Sequence, residues 1–159
     1  MRLLLTALFA AALGAATVNS QDRPTTPAQP GTAQPGTADG HAAAFEQCAK
    51  ACDDCARVCD QCSAHCAKLL ADGKKEHLKT LQTCQDCATI CSAASCVVAK
   101  GGPFSDLICT ACADACKRCG DACDQHKDDP MMKKCAEECR KCEKACRDML
   151  QHTGQGGKK

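Results

Sequence analysis

The sequence predicts an all-α protein, an up-down-up-down antiparallel four-helix bundle with a cysteine-lined core. Three observations carry that expectation. The 19 cysteines recur in steps of three and four, the repeat of one helix face. Turn-forming residues interrupt the pattern three times, and the stretches between interruptions are each long enough for a helix. A strand would place residues of one face two apart, and no two cysteines are two apart.

The first helix is expected over 41–71, where Cys48, Cys52, Cys55, Cys59, Cys62 and Cys66 alternate gaps of four and three, as in the a/d seam of a coiled coil. Asp72-Gly73 ends it. A second helix over 74–99 carries Cys84, Cys87 and Cys91. Cys96 follows Cys91 by five and breaks the seam, so it is either a peripheral ligand or a packing residue, and it stays in the candidate ligand set. After Gly101-Gly102-Pro103, a third helix over 104–126 carries Cys109, Cys112, Cys116, Cys119 and Cys123. After Asp128-Asp129-Pro130, a fourth over 129–151 carries Cys135, Cys139, Cys142 and Cys146. Glycine and proline mark the helix boundaries, and such short connections join antiparallel neighbours.

Outside the bundle the chain reads differently. Met1-Arg2, the uncharged apolar run Leu3–Val18 and the small residues before position 20 form an expected secretory signal peptide over 1–20. The run is shorter than the ~20 apolar residues of a spanning helix, so no membrane anchor is expected after processing, and the location is exported, periplasmic or extracellular. Residues 21–40, with four prolines and two copies of the AQPGT motif, form a flexible linker; residues 152–159 are a polar tail. Removing 1–20 removes Arg2 and no acid, which leaves 19 basic against 19 acidic residues. The basic residues are interleaved with acids, as in Lys133, Lys134, Glu137, Glu138, Arg140 and Lys141, a solvated face and not a phosphate-binding stripe. Nucleic acid is not an expected partner.

The seams decide the chemistry. A single buried cysteine acts as a small hydrophobe, but thiols along four seams would leave an interior poorly filled by protein alone. Thiolates select copper(I), zinc or iron–sulfur clusters. Structural zinc favours closed sets of four ligands on knuckles, whereas these pairs repeat down straight helices, and no cysteine precedes proline as in the bacterial cluster-binding run. Copper(I) accepts two or three sulfurs, and one monovalent cation per thiolate leaves a nearly neutral core. This favours multiple copper(I) ions per chain, on the order of 15–20. Zinc binding and a disulfide-stabilised structural protein are the alternatives. Disulfides suit an exported compartment, though same-face helical neighbours are wider apart than a disulfide prefers.

The topology gives the bundle two different ends. His77, His126 and Met132 extend the cysteine seams at one rim, with Met131 beside them and one step off register; imidazole and thioether donors there are candidates for admitting metal. Phe45, Val98, Phe104, Ile108, Met149 and Leu150 gather at the other as an apolar plug. No nucleophile–base pattern, paired carboxylates or phosphate loop is present, so no catalytic residue and no enzyme activity is expected.

On these residues, CxxxC and CxxC seams repeated on four helices over 41–151, the chain resembles the copper storage proteins, bacterial cysteine-rich four-helix bundles, and specifically their exported branch. The resemblance implies a homotetramer whose bundles each hold copper(I) in the core, serving supply to a copper-requiring enzyme or chaperone, or detoxification. It makes the seam cysteines named above the copper ligands. The signal segment departs from the family's exported pattern in having no twin arginine.

Overall fold

The computed structural model describes residues 38–153. The expected signal peptide (1–20), nearly all of the linker and most of the polar tail lie outside the described residues. Four α-helices follow in order: α1 Ala38–Ala71, α2 Leu78–Val98, α3 Ser105–Asp124 and α4 Pro130–Thr153, with a 3-10 turn, Lys75–His77, leading into α2. Helices α1 and α3 each pack against both α2 and α4, which is the square, antiparallel arrangement expected of short connections.

The helix ends are set by local chemistry. Gly73, at φ 85°, closes α1: its N–H donates to the Leu70 carbonyl while the Lys74 N–H donates to that of Leu69, each at 3.0 Å. The same pair of bonds recurs after α2, from Gly101 (φ 57°) to Val98 and from Gly102 to Val97. Both are Schellman closures, for which glycine supplies the left-handed residue. Helix α4 begins on Asp129, whose Oδ1 accepts from the N–H groups of Met131 at 2.8 Å and Met132 at 3.2 Å, with Pro130 at the first helical position.

Boundaries shift by a few residues from the expected ones. Helix α1 starts at Ala38, inside the expected linker, and α4 runs to Thr153. Helix α2 proper starts at Leu78 and not at position 74, because the 3-10 turn takes up the first residues.

Every seam cysteine is at most 1% exposed. Around them, Ala49, Ala56, Ala88, Ala94, Ala113 and Ala136 are buried against the neighbouring helices, small enough to let backbones carrying short thiols approach. The largest fully buried side chains are Met132, Met149 and Val98, at the two ends. Surface ion pairs tie α3 to α4: Arg140 reaches Asp121 at 2.6 Å, Asp124 at 2.9 Å and the Lys117 carbonyl. Its guanidinium lies across Gly120, where a Cβ would come within 3.0 Å of Cζ.

One expectation needs correction, and one pair of alternatives narrows. The apolar end is closed by Val98 and Met149, with Phe45, Ile108 and Leu150 packed around them. Phe104 is not part of the plug: it precedes the first turn of α3 and is 64% exposed. Cys96 is exposed on the outside of α2, because five residues past Cys91 is a rotation of about 500°, some 140° off the seam.

Candidate metal centre

The α-helical repeat turns every seam thiol inward, and antiparallel packing interleaves the four seams into one column. Starting near the N-terminal half of α1, Cys48 Sγ lies 3.6 Å from Cys109 and 3.8 Å from Cys146. Cys52 joins Cys112 at 3.8 Å, Cys146 at 3.6 Å and Cys142 at 3.7 Å. Cys91 bridges Cys112 and Cys116 at 3.6 and 3.5 Å. Cys55 meets Cys116 and Cys139, each at 3.9 Å, and Cys59 meets Cys135 and Cys139, each at 3.8 Å. Cys84 closes the run against Cys119 at 3.6 Å and Cys123 at 3.8 Å. Steps of 4.0 Å or less thus connect every seam cysteine except Cys62 and Cys66. Cys62 clusters with Cys84, Cys123 and Cys135, and Cys66 stands beyond it. The contacts Cys48–Cys109 and Cys59–Cys119 join α1 to α3, so sulfur crosses the diagonal and fills the axis itself.

These separations lie at the lower edge of what a shared ion needs, or a few tenths of an ångström inside it. A thiolate–metal bond of about 2.3 Å puts two sulfurs on one ion about 3.8–4.6 Å apart between tetrahedral and linear geometry. A disulfide needs about 2.0 Å, and all 19 cysteines are free thiols.

Five four-thiol groups, each with all sulfurs within 4.8 Å of one another, run along the axis: Cys52/Cys112/Cys142/Cys146, Cys55/Cys91/Cys116/Cys142, Cys55/Cys59/Cys87/Cys139, Cys59/Cys119/Cys135/Cys139 and Cys62/Cys84/Cys123/Cys135. Successive groups share Cys142, Cys55, Cys59 with Cys139, and Cys135. Independent tetrahedral centres cannot use all of these thiols at once, whereas two- or three-coordinate ions with bridging sulfurs can.

Proton distribution follows from the same crowding. The Cys119 thiol is held well below the ordinary thiol range, chiefly by its hydrogen bond with Cys123. Cys59, Cys84 and Cys139 are pushed well above it, each chiefly by Cys119. One thiolate is therefore stabilised by neighbours that keep their protons, since adjacent buried anions repel. Cys87 is lowered to about 7, chiefly through Cys116. Cys66 is pushed up to about 12, first by burial and then by Cys62. A cation on each thiolate would remove this conflict.

At the rim where α1 ends and α4 begins, the His77 and His126 rings lie 4.2 Å apart between centroids. His77 is buried and its Nδ1 has no hydrogen-bond partner; burial, then the neighbouring His126, hold its pKa below the ordinary value. Met132 is fully buried and Met131 half-buried. His65 is committed elsewhere: its Nε2–H donates to Asp129 Oδ2 at 2.7 Å, tying the last turns of α1 to the N-cap of α4. Sequence reasoning missed this pair, which joins residues far apart in the chain and off the seams. It also missed that His41 and His152 meet at the opposite end, with ring centroids 5.6 Å apart, although His41 stands one heptad before Cys48.

Comparison with known proteins agrees with this geometry. The family model "Csp: Copper storage protein" matches residues 41–151. Among solved structures, the chain is similar to a cytosolic copper storage protein from Streptomyces lividans loaded with five coppers, at 31% identity and a TM-score of 0.64, covering 71% of this chain and 97% of the other. A Cu(I)-bound copper storage protein is 33% identical over 67% of this chain and 98% of its own, with a TM-score of 0.62. The Nmul_A1745 protein of Nitrosospira multiformis is 28% identical over 69% and 96%, with a TM-score of 0.59. A search of curated proteins found no match.

Proposed function

The chain belongs to the copper storage protein family, and on that premise we propose that it stores multiple copper(I) ions on the buried seam thiols, without catalysis. The observation that carries the reading is the thiol column, in which steps of 3.5–4.0 Å connect every seam sulfur except Cys62 and Cys66. Copper(I) tolerates low coordination and prefers soft donors, so bridging along the column uses nearly every thiol. Each ion replaces one thiol proton, which keeps the core close to neutral where uncompensated thiolates would be prohibitive. Cys96, outside the column, takes no part.

The His77/His126/Met132 rim is the proposed point of admission. A buried imidazole nitrogen without a partner is a donor held ready for an incoming soft cation, and Met132 continues inward to the α4 seam and Cys135. Met131 stands at the outer margin. The apolar signal-like segment supports an exported, periplasmic or extracellular setting, where the store would serve supply to a copper-requiring enzyme or chaperone, or detoxification. The family resemblance supports a homotetramer.

Anaerobic titration of the reduced chain with copper(I) against a competing chelator tests the storage reading. The expected result is loading on the order of 15–20 ions per chain with thiols consumed in parallel. Saturation after one or two ions would overturn it. For the admission point, His77→Ala with His126→Ala is expected to slow loading in stopped-flow mixing. Met132 is better changed to leucine, since truncating a buried methionine to alanine costs about 2–5 kcal/mol and would confuse uptake with stability.

A further inference from the structure

Two histidines stand apart from the proposed point of admission. His41, near the start of α1, and His152, in the last turn of α4, pack edge to face with ring centroids 5.6 Å apart and are both half-buried. Register brings them there. His41 lies seven residues before Cys48, and His152 lies three after Met149, which itself lies three after Cys146. Followed outward, two thiol seams therefore end on imidazoles.

Beneath them lies the last sulfur cluster of the column, Cys48 with Cys109 at 3.6 Å and Cys146 at 3.8 Å. Along the axis the way is blocked, because Val98 and Met149 are buried and close that end. From the side the cover is thin, since Cys48 and Met149, each 1% exposed, form the floor of a surface depression. A surface cavity of about 430 Å³ between α1 and α4 is lined by Ala44, Gln47, Cys48, Met149 and His152 among others, so imidazole, thioether and thiol share one wall. Two lysines line its margin, Lys144 paired with Asp148 and Lys141 paired with Glu138, so neither presents an uncompensated charge to a cation. His152 also sits at the C-terminal end of α4, where helix carbonyls favour positive charge.

We infer that this groove is a second, lateral port for copper(I), in which His152 within it and His41, packed against His152 at its edge, hold the incoming ion and the Met149 thioether passes it to Cys48, Cys109 and Cys146. The inference rests on the storage reading above. The ion keeps its oxidation state; the sulfur that receives it loses one proton to solvent, and the imidazole bond is released as the thiolate bond forms. A column with ports at both ends fills from both ends, so the Cys48 cluster is occupied early and not last.

The test uses the full, reduced chain under anaerobic conditions with a copper(I)–chelator complex as donor. Stopped-flow loading is compared between the His77→Ala/His126→Ala variant and the same variant carrying His41→Ala and His152→Ala. The added changes are expected to lower the residual loading rate about tenfold, the scale of effect at metal-binding shells. In the unaltered chain, imidazole 15N resonances of His41 and His152 are expected to shift with the first equivalent of copper(I). Equal residual rates in the two variants, with those resonances unmoved, would overturn the port while leaving storage intact. An unaltered chain that took up no copper would overturn both.

Discussion

On the storage reading a thiol on a seam has two duties: it fills space in the unloaded bundle, and it gives up a proton when metal arrives. Position on the helix decides whether a cysteine can do either. Cys139 is fully buried and lies 3.8 Å from Cys59 and 3.9 Å from Cys55, whereas Cys96 is exposed and faces away from the column. Cys96→Ala is accordingly expected to leave copper capacity unchanged. Cys139→Ala is expected to lower it by about one to two ions, because bridging sulfurs are shared between neighbouring sites. Metal analysis of each variant after saturation and desalting checks both outcomes, and equal capacities would place the metal somewhere other than the column.

At the scale of the helix, the informative device is Asp129. One carboxylate oxygen caps α4 through Met131 and Met132, and the other accepts from His65 of α1. Burial pushes this carboxyl upward, but those hydrogen bonds outweigh burial and hold it below its ordinary value. Asp129→Ala removes the cap and the cross-helix tie together, and is expected to destabilise the unloaded protein by about 1–2 kcal/mol in chemical denaturation. Asp129→Asn, which can still cap, is expected to lose less. A loss confined to the His65 contact would give equal values for the two.

For the molecule as a whole, storage and stability are linked. On the storage reading copper binds the folded column and not an equivalent array in the unfolded chain, so loading is expected to stabilise by mass action, about 4 kcal/mol for a single site at a thousandfold excess over its Kd. For a bundle of this size, several such sites are expected to raise Tm by more than about 10 °C. Anaerobic calorimetry of unloaded and loaded protein measures the difference, and an unchanged Tm would show that the ions sit outside the folded core.

The sequence by itself determined the four helices, their order and the identity of the inward-facing sulfurs, because the three–four spacing is a local property of helix geometry and the glycine and proline signals act within a turn. Gly73 and Asp129 were legible as helix boundaries for that reason. It also marked Cys96 as out of register. What the tertiary structure decided depends on how separate seams interleave. The sulfur contacts across the diagonal, the exposure of Phe104, the tie from His65 to Asp129 and the meeting of His41 with His152 all join or separate residues on different helices. Spacing along one helix fixes the direction of a side chain but not the height at which its neighbour's side chain arrives, and that height is set only when the helices pack.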